Sequence, residues 1–157
     1  MVNLLPMTQD EFQAYLARAI PEYAQEKVRS GNWEEAEALD KSREIYEKLL
    51  PKGLTSPDQY FFTVFNPEDG TQVGMVWFAI LTVEPQPKAF IYDFFIEPAH
   101  RRKGFGSQTM QVVEEKVKSL DIHRIGLHVF AHNRQAWALY KRLGYEETNI
   151  NMEKVLQ

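Results

Sequence analysis

The sequence predicts an α/β (α+β) fold, in which a mixed, mostly antiparallel central sheet carries helices on both faces. Three observations predict it. Apolar residues recur at helical spacing in the first third of the chain, and short aromatic and β-branched runs separated by turn residues follow. Beyond residue 104, helical and extended patterns alternate. Because no linker, repeat or low-complexity tract divides the 157 residues, we expect one domain spanning 1–157.

A short edge strand over 2–6 and a first helix open the predicted order of elements. Thr8 has the character of a helix N-cap, because Glu11 three residues later completes a capping box. Pro21 is expected to kink or restart this helix, since proline has no N–H to donate.

Asn32 and Glu35 repeat the capping-box spacing and predict the start of a second helix. The proline- and glycine-containing stretch 51–57 ends it. Strands separated by turn clusters then follow, and their aromatic residues are expected to pack in the core. These strands are predicted over 60–65, 71–83 and 89–97.

The last third of the chain alternates helices with strands. A helix is predicted over 104–120, a strand over 123–131 and a helix over 133–144, where Gly144 suits the C-terminal cap. Residues 145–156 are predicted to form a final strand.

Composition excludes several classes of function. The formal net charge is -4, which disfavours a general nucleic-acid binder, and the chain has no cysteine. The lack of cysteine excludes disulfides, thiolate metal sites and a cysteine acyl-enzyme. No signal sequence and no apolar run near the roughly 20 residues of a membrane span is visible. We therefore expect a cytoplasmic protein without a membrane partner.

The segment "IEPAHRRKGFGSQTM", Ile96–Met110, has the features of an anion site. The first N–H groups of a helix lack partners, and the helix dipole places positive charge there. Gly104 and Gly106 allow a ligand to approach the main chain closely. Three basic residues precede them, namely Arg101, Arg102 and Lys103. A phosphate or diphosphate is the expected ligand.

Three phosphate-binding motifs compete for this segment. A Walker loop requires Gly-Lys-Ser/Thr, but Ser107 and Gln108 follow Gly106. A dinucleotide fingerprint requires a third glycine where Thr109 stands, so a nucleotide or dinucleotide binder is disfavoured. The pattern Arg-x-x-Gly-x-Gly between a strand and a helix is met in full by "RRKGFG".

With this motif, the sequence resembles the GNAT superfamily of acyl-CoA N-acyltransferases. The resemblance lies in "YDFFIEPAHRRKGFGSQTMQVVEEKVKSL", "IGLHVFAHN" and "NRQAWALYKRLGYEE", about the last two-fifths of the chain. The chain is especially similar to small bacterial members that share "FIYDF", "LHVFAHN" and a "YA.EKV" segment. The helical first half has the expected order but matches less specifically.

The resemblance implies an acetyl-CoA site. Main-chain groups of Phe95 and Ile96 would pair with the pantetheine arm, which lies like an added strand. Asn133 would touch the pantetheine, and Tyr140 would lie near the thioester sulfur. The diphosphate would be held by the loop and helix start that comprise Arg101, Arg102, Lys103, Gly104, Phe105, Gly106 and Ser107.

The chemistry expected is direct attack of an amine on the thioester, because no cysteine is available. Tyr140 is the candidate general acid for the departing thiolate, and the alternative for it is a core aromatic. Asp93 and Glu97 are the candidate bases, and each could instead be a structural hydrogen-bond acceptor. Glu22 and Glu26 could attract a cationic amine but are interpreted as a solvated helix face.

The histidines, His100, His123, His128 and His132, do not form a convincing metal set, so no metal is expected. The leading hypothesis is an N-acetyltransferase that acts on a primary amine. The alternative is a catalytically inactive module that binds CoA for regulation or interaction. The acceptor stays open between a small molecule and a peptide, and the final strand could support a homodimer.

Overall fold

The computed structural model describes residues 1–157 and contains one five-stranded sheet and four α-helices. The elements in chain order are β1 (Asn3–Pro6), α1 (Gln9–Arg29), α2 (Glu35–Leu49), β2 (Gln59–Phe65), β3 (Gln72–Leu81), β4 (Lys88–Ile96), α3 (Phe105–Ser119), β5 (Ile125–Leu127) and α4 (Arg134–Arg142). The strands lie in the order β1-β2-β3-β4-β5. The first four pair antiparallel and β5 pairs parallel to β4. The predicted fold class, a mixed and mostly antiparallel sheet, is confirmed.

The two faces of the sheet carry separate apolar layers. On one face, α1 and α2 cover Trp77 of β3, and Phe12 and Tyr15 of α1 belong to the same buried cluster. On the other face, α3 places Met110 and Val113 against the neighbouring Phe78. Adjacent strand residues thus serve opposite layers, as the two-residue period of a strand requires.

The helix starts agree only in part with the prediction. Thr8 and Glu11 form the predicted capping box, and α1 continues through Pro21 without restarting. The second predicted capping box is wrong, because Glu34 is the N-cap residue of α2 and makes no side-chain cap bond. Asn32 instead accepts a hydrogen bond from Ser30 Oγ within the preceding turn, so its side chain is engaged before the helix begins.

Near the C-terminus, the sequence predicted more and longer strands than the structure contains. The strand predicted over 123–131 is reduced to the three residues of β5, and the strand predicted over 145–156 does not form. Residues 146–157 are all exposed and carry no regular secondary structure. Extended propensity alone does not make a strand, because its main-chain groups need a paired neighbour.

A β-bulge in β4 places the side chains of the site. Trp77 lies opposite Asp93 whereas Phe78 lies opposite Ile91, so Tyr92 is an extra residue in β4. Ile91 packs in the α3 layer, and Tyr92 stacks on Trp77 in the α1 layer. Asp93 also faces α1, because its carboxylate accepts a hydrogen bond from a tyrosine of that helix. Two consecutive side chains therefore share one face.

Gly74 of β3 has no room for a side chain against β4. A Cβ atom there would overlap the main-chain oxygen of Phe95, which cannot rotate away. Gly74→Ala is therefore expected to lower the free energy of unfolding by about 2 kcal/mol or more. Urea titration followed by circular dichroism measures this change.

Gly126 of β5 provides the matched control for Gly74. A Cβ atom at Gly126 would meet the flexible Lys88 side chain at 3.4 Å, which can move aside. We expect Gly126→Ala to change the free energy of unfolding by less than about 0.5 kcal/mol. Equal destabilisation by the two alanines would contradict the close approach of β3 and β4.

Candidate active site

The central feature of the site is an opening between β4 and β5. Parallel pairing begins with Ala89 opposite Ile125 and ends with Ile91 opposite Leu127. Beyond this point β4 continues for five residues to Ile96 with no strand on that side. This exposed edge can accept an extended ligand in place of a strand.

The main-chain direction along this edge follows from one hydrogen bond. The N–H of Glu97 donates to Val73 O at 2.8 Å, so Glu97 faces β3. In an antiparallel strand, the main-chain N–H and C=O groups of successive residues point to alternate sides. Those of Phe95 therefore also point toward β3, whereas those of Phe94 and Ile96 point toward the opening. Of the two residues proposed to pair with pantetheine, Ile96 is directed toward the opening and Phe95 is directed away. Phe94 is the other residue whose main chain is directed toward the opening.

Arg101 is directed back toward β4. Its Nε donates to Ile96 O at 2.8 Å, and its guanidinium lies 5.1 Å from the ring centre of Phe95. Arg18 of α1 lies 4.1 Å from the centre of the same ring. The aromatic ring thus has a guanidinium from the loop and another from α1, which links the loop to that helix.

The loop before α3 presents a run of unpaired amides. The N–H groups of residues 102–107 make no hydrogen bond within the protein, and the first helical bond runs from Gln108 N to Gly104 O at 3.1 Å. Gly104 is the N-cap residue, with φ 85°, and no side chain caps the helix. Arg102 and Lys103 are exposed and have no carboxylate partner. An anion site requires such features, and the anion site itself stays a prediction.

Gly106 brings the start of α3 against two other elements. A Cβ atom at this position would lie 3.6 Å from the Leu139 side chain of α4 and 3.7 Å from the ring of Phe94. The small residue therefore fixes the helix start beside the end of β4 that carries the open edge.

Gly104→Ala is expected to weaken acetyl-CoA binding about tenfold. Alanine disfavours a φ of 85° by about 1–2 kcal/mol, so the loop relaxes and its amides turn away from the ligand. Isothermal titration calorimetry measures the dissociation constant. Gly144→Ala is the control, because Gly144 has φ 93°, open space around its Cα and no place in this loop. Equal affinity losses in both variants would contradict the assignment.

Asp93 lies at the bulge with a specific hydrogen-bond environment. Its Oδ2 accepts a hydrogen bond from the Tyr15 hydroxyl at 2.7 Å, and its Oδ1 accepts one from Phe94 N at 2.9 Å. Burial raises the pKa of Asp93, and the two hydrogen bonds together with the Arg18 charge offset part of that rise. The carboxylate is therefore a stronger base than an exposed aspartate.

Tyr140 of α4 packs in the α3 layer and lies within electrostatic range of Asp93. Burial and, secondarily, the Asp93 carboxylate raise the pKa of Tyr140 to about 12. The Tyr140 hydroxyl makes no hydrogen bond within the protein, although its ring packs edge-on against Tyr145 with centroids 5.7 Å apart. This hydroxyl is protonated at neutral pH and free to donate a hydrogen bond.

Asn133 and Glu97 are the two remaining candidates for the site. Asn133 is the N-cap of α4, since its side chain accepts a hydrogen bond from Ala136 N at 3.2 Å. Its amide NH₂ remains available for a ligand. Glu97 lies four residues beyond Asp93, about 13 Å along an extended strand. It lines a cleft of about 180 Å³ beside Arg18, away from Tyr140.

Sequence analysis missed two contacts of this region. Tyr15 was interpreted only as an apolar helix position, yet it donates to Asp93 from 78 residues away. Glu26 does not merely face solvent, because it contacts His132 at the end of the segment after β5. The Glu22 carboxylate pairs with Arg18. Nothing local in the sequence signals partners so far apart along the chain.

No group of three or more histidine, aspartate or glutamate residues is arranged to hold a metal ion. No helix combines the length and apolar character required to cross a membrane.

The open strand edge, the uncapped helix start and the sheet order define an acyltransferase class. Residues 16–145 match the Acetyltransferase (GNAT) family, and the chain belongs to that family. It is 39% identical to the uncharacterized N-acetyltransferase YdgE of Bacillus subtilis (strain 168) over 154 residues, which cover 98% of each chain.

Two solved structures are similar in fold. The crystal structure of YycN from Bacillus subtilis superposes with a TM-score of 0.94 at 36% identity, covering 100% of this chain and 99% of that one. A Clostridium acetobutylicum acetyltransferase solved with acetyl-CoA superposes with a TM-score of 0.64 at 16% identity, covering 99% and 96%. The second likeness concerns the fold alone.

Proposed function

We propose that this protein, as one domain spanning 1–157, transfers the acetyl group of acetyl-CoA to a primary amine. The observation that carries the proposal is the open edge of β4 after Ile91. It has the unpaired amides of 102–107 at one end and the pair Asp93 and Tyr140 beside it. Family membership and a fold neighbour solved with acetyl-CoA support the choice of acyl donor.

Acetyl-CoA binding would use mainly main-chain groups. The diphosphate would accept hydrogen bonds from the amides of 102–107, with Arg102 and Lys103 adding positive charge. The pantetheine amides would pair with the carbonyl of Phe94 and the N–H of Ile96 as an added strand, since the Phe94 N–H is bonded to Asp93 and the Ile96 carbonyl to Arg101. Asn133 would contribute its side-chain NH₂ at the other side of the opening.

The reaction requires no covalent enzyme intermediate. A neutral amine nitrogen attacks the thioester carbon, a C–N bond forms, and the carbonyl electrons move onto oxygen. When the carbonyl re-forms, the C–S bond breaks and the thiolate takes a proton from the Tyr140 hydroxyl. Before the attack, Asp93, directly or through a water molecule, takes one proton from the ammonium of the acceptor, which leaves the amine neutral. After the attack, the nitrogen passes its surplus proton to the Tyr140 oxygen, which restores the hydroxyl. The amide and free CoA are the products.

The partly buried position of Asp93 also favours a cationic acceptor. A carboxylate removed from water attracts an ammonium more strongly than an exposed one does. The acceptor we propose is therefore a primary amine on a small molecule or peptide, and not a nucleic acid.

Two measurements test the proposed function. Calorimetric titration with acetyl-CoA, NAD and ATP should show binding of acetyl-CoA alone. A screen of primary amines should then show release of the CoA thiol. Tight binding without release over the whole panel would favour the inactive CoA-binding module, and the absence of acetyl-CoA binding would reject both functions.

A further inference from the structure

The Asp93 carboxylate is held by a side chain from a distant part of the chain. Its two oxygens accept one hydrogen bond each, Oδ1 from the Phe94 N–H at 2.9 Å and Oδ2 from the Tyr15 hydroxyl at 2.7 Å. The first bond comes from the next residue of β4. The second is the only hydrogen bond that a side chain donates to Asp93, so it depends on the residue that α1 places there.

Tyr15 is itself fixed by the apolar layer under α1. It is 4% exposed, and its ring centre lies 6.1 Å from that of Phe61 and 6.5 Å from that of Trp77. Close packing of this kind restricts the ring to one orientation. A hydrogen bond from a fixed hydroxyl therefore fixes the orientation of the Asp93 carboxylate as well.

The other polar groups around Asp93 do not replace this donor. Arg18 of α1 contributes its charge, but its Nη1 donates to Glu22 at 3.1 Å. Tyr46 of α2 and Tyr140 of α4 are within electrostatic range of Asp93. Neither hydroxyl donates a hydrogen bond to the carboxylate, whose two bonds are already accounted for.

The Tyr15 hydrogen bond also affects the ionisation of the carboxylate. Burial raises the pKa of Asp93, and the bond from Tyr15 is the largest of the effects that lower it. A base that accepts a proton from an ammonium has to be ionised at the pH of the reaction. The hydroxyl thus opposes a protonation that would inactivate the carboxylate.

We propose that Tyr15 is a positioning residue for acetyl transfer, because its hydroxyl fixes Oδ2 of Asp93 and keeps the carboxylate ionised and aligned for the acceptor ammonium. This inference rests on the proposed function, in which Asp93 takes a proton from that ammonium. Each carboxylate oxygen has a further lone pair, so the ammonium or a water molecule can bond to Asp93 while both protein hydrogen bonds persist. In this role Tyr15 acts only through Asp93 and needs no contact with either substrate.

Tyr15→Phe tests this role, because it removes the hydroxyl and retains the ring. We expect kcat at neutral pH to fall about tenfold, and the KM for acetyl-CoA to change by less than about twofold. The acidic limb of the rate profile should move to higher pH, since the ionised carboxylate loses a donor.

Tyr23→Phe is the matched control. Tyr23 lies about two helical turns farther along α1, where its ring packs against Trp33 and Tyr46. This variant should change neither kcat nor the position of the acidic limb.

A double-mutant cycle separates positioning from packing. If Tyr15 acts through Asp93, Tyr15→Phe should lower the kcat of the Asp93→Asn protein by less than about twofold, although it lowers that of the wild type about tenfold. Equal losses in the two backgrounds would overturn the proposal. A lower kcat with an unchanged pH profile would also overturn it, because either result indicates a structural role.

Carbon-13 NMR of the Asp93 carboxyl group provides a measurement that needs no activity. Its titration should move to higher pH in Tyr15→Phe and keep its position in Tyr23→Phe. An unchanged titration in Tyr15→Phe would overturn the proposal, even if that variant were slow. If the wild type transferred no acetyl group, the proposed function would fail, and a titration that moves would still support the action of Tyr15 on the carboxylate.

Discussion

Tyr140→Phe is expected to lower kcat for acetyl transfer by about 100-fold or more and to leave the acetyl-CoA dissociation constant within about twofold. The substitution removes only a hydroxyl that makes no hydrogen bond within the protein, so packing is retained. The departing thiolate loses its proton donor. Burial and Asp93 raise the pKa of Tyr140 to about 12, so the wild-type hydroxyl stays protonated through neutral and mildly alkaline pH. Steady-state release of CoA and calorimetry measure the two constants.

Tyr145→Phe is the matched control for this variant. Its ring packs against Tyr140, but its hydroxyl lies toward Glu114, at 3.5 Å. We expect kcat to fall by less than about threefold. If Tyr140→Phe were as active as Tyr145→Phe, Tyr140 would be a core aromatic and a solvent molecule would protonate the thiolate.

Asp93→Asn is the second change expected to have a large effect, with kcat falling by about 100-fold or more. Asparagine retains an oxygen that can accept the hydrogen bond from Tyr15, but it cannot take a proton. In the wild type, the rate should decrease as pH falls through the raised pKa of Asp93. This acidic limb should disappear in the variant. Initial rates between pH 5 and pH 9 provide the comparison.

Glu97→Gln is the control for the base. Glu97 lies about 13 Å farther along the strand, so its variant should retain both activity and the acidic limb. An acidic limb that disappears with Glu97→Gln and persists in Asp93→Asn would assign the base to Glu97.

The same carboxylate should also affect stability. Because burial raises the pKa of Asp93, the folded chain binds this proton more tightly than the unfolded chain. Between the ordinary value of about 3.9 and the raised one, this group makes the free energy of unfolding fall as pH rises. At pH values above the raised pKa, the ionised carboxylate lowers the free energy of unfolding by its full amount. Relative to wild type, Asp93→Asn should therefore gain stability from pH 4 to pH 8, as urea titrations at both values would show.

Local signals predicted the site elements well and their contacts poorly. The glycines and basic residues of 101–106 predicted the helix start with free amides, because the physics of a helix end is local. Thr8 with Glu11 predicted the start of α1 for the same reason. Arg101, however, is directed back to Ile96 O, and that choice depends on where β4 ends relative to the loop.

Main-chain direction was the part that sequence could not supply. Phe94 and Phe95 are the same amino acid, so the sequence does not distinguish them. Only the hydrogen bond from the Glu97 N–H to β3 shows which of the two directs its main-chain groups toward the opening. The prediction of a final strand was wrong for a related reason. Residues 146–157 have strand-like alternation, but pairing requires an edge that no property of the segment itself reveals.

The extra residue in β4 also determines which face of the sheet each later side chain of that strand occupies. If the side chains after Ile91 pointed strictly to alternate faces of the sheet, the Asp93 carboxylate would lie in the apolar layer under α3. The Phe94 ring would then lie beside Tyr15. The one extra residue moves each later side chain of β4 to the opposite face of the sheet. The first half of β4 thereby packs in the core, and the second half places Asp93 beside Tyr15, where we propose that it acts as the base.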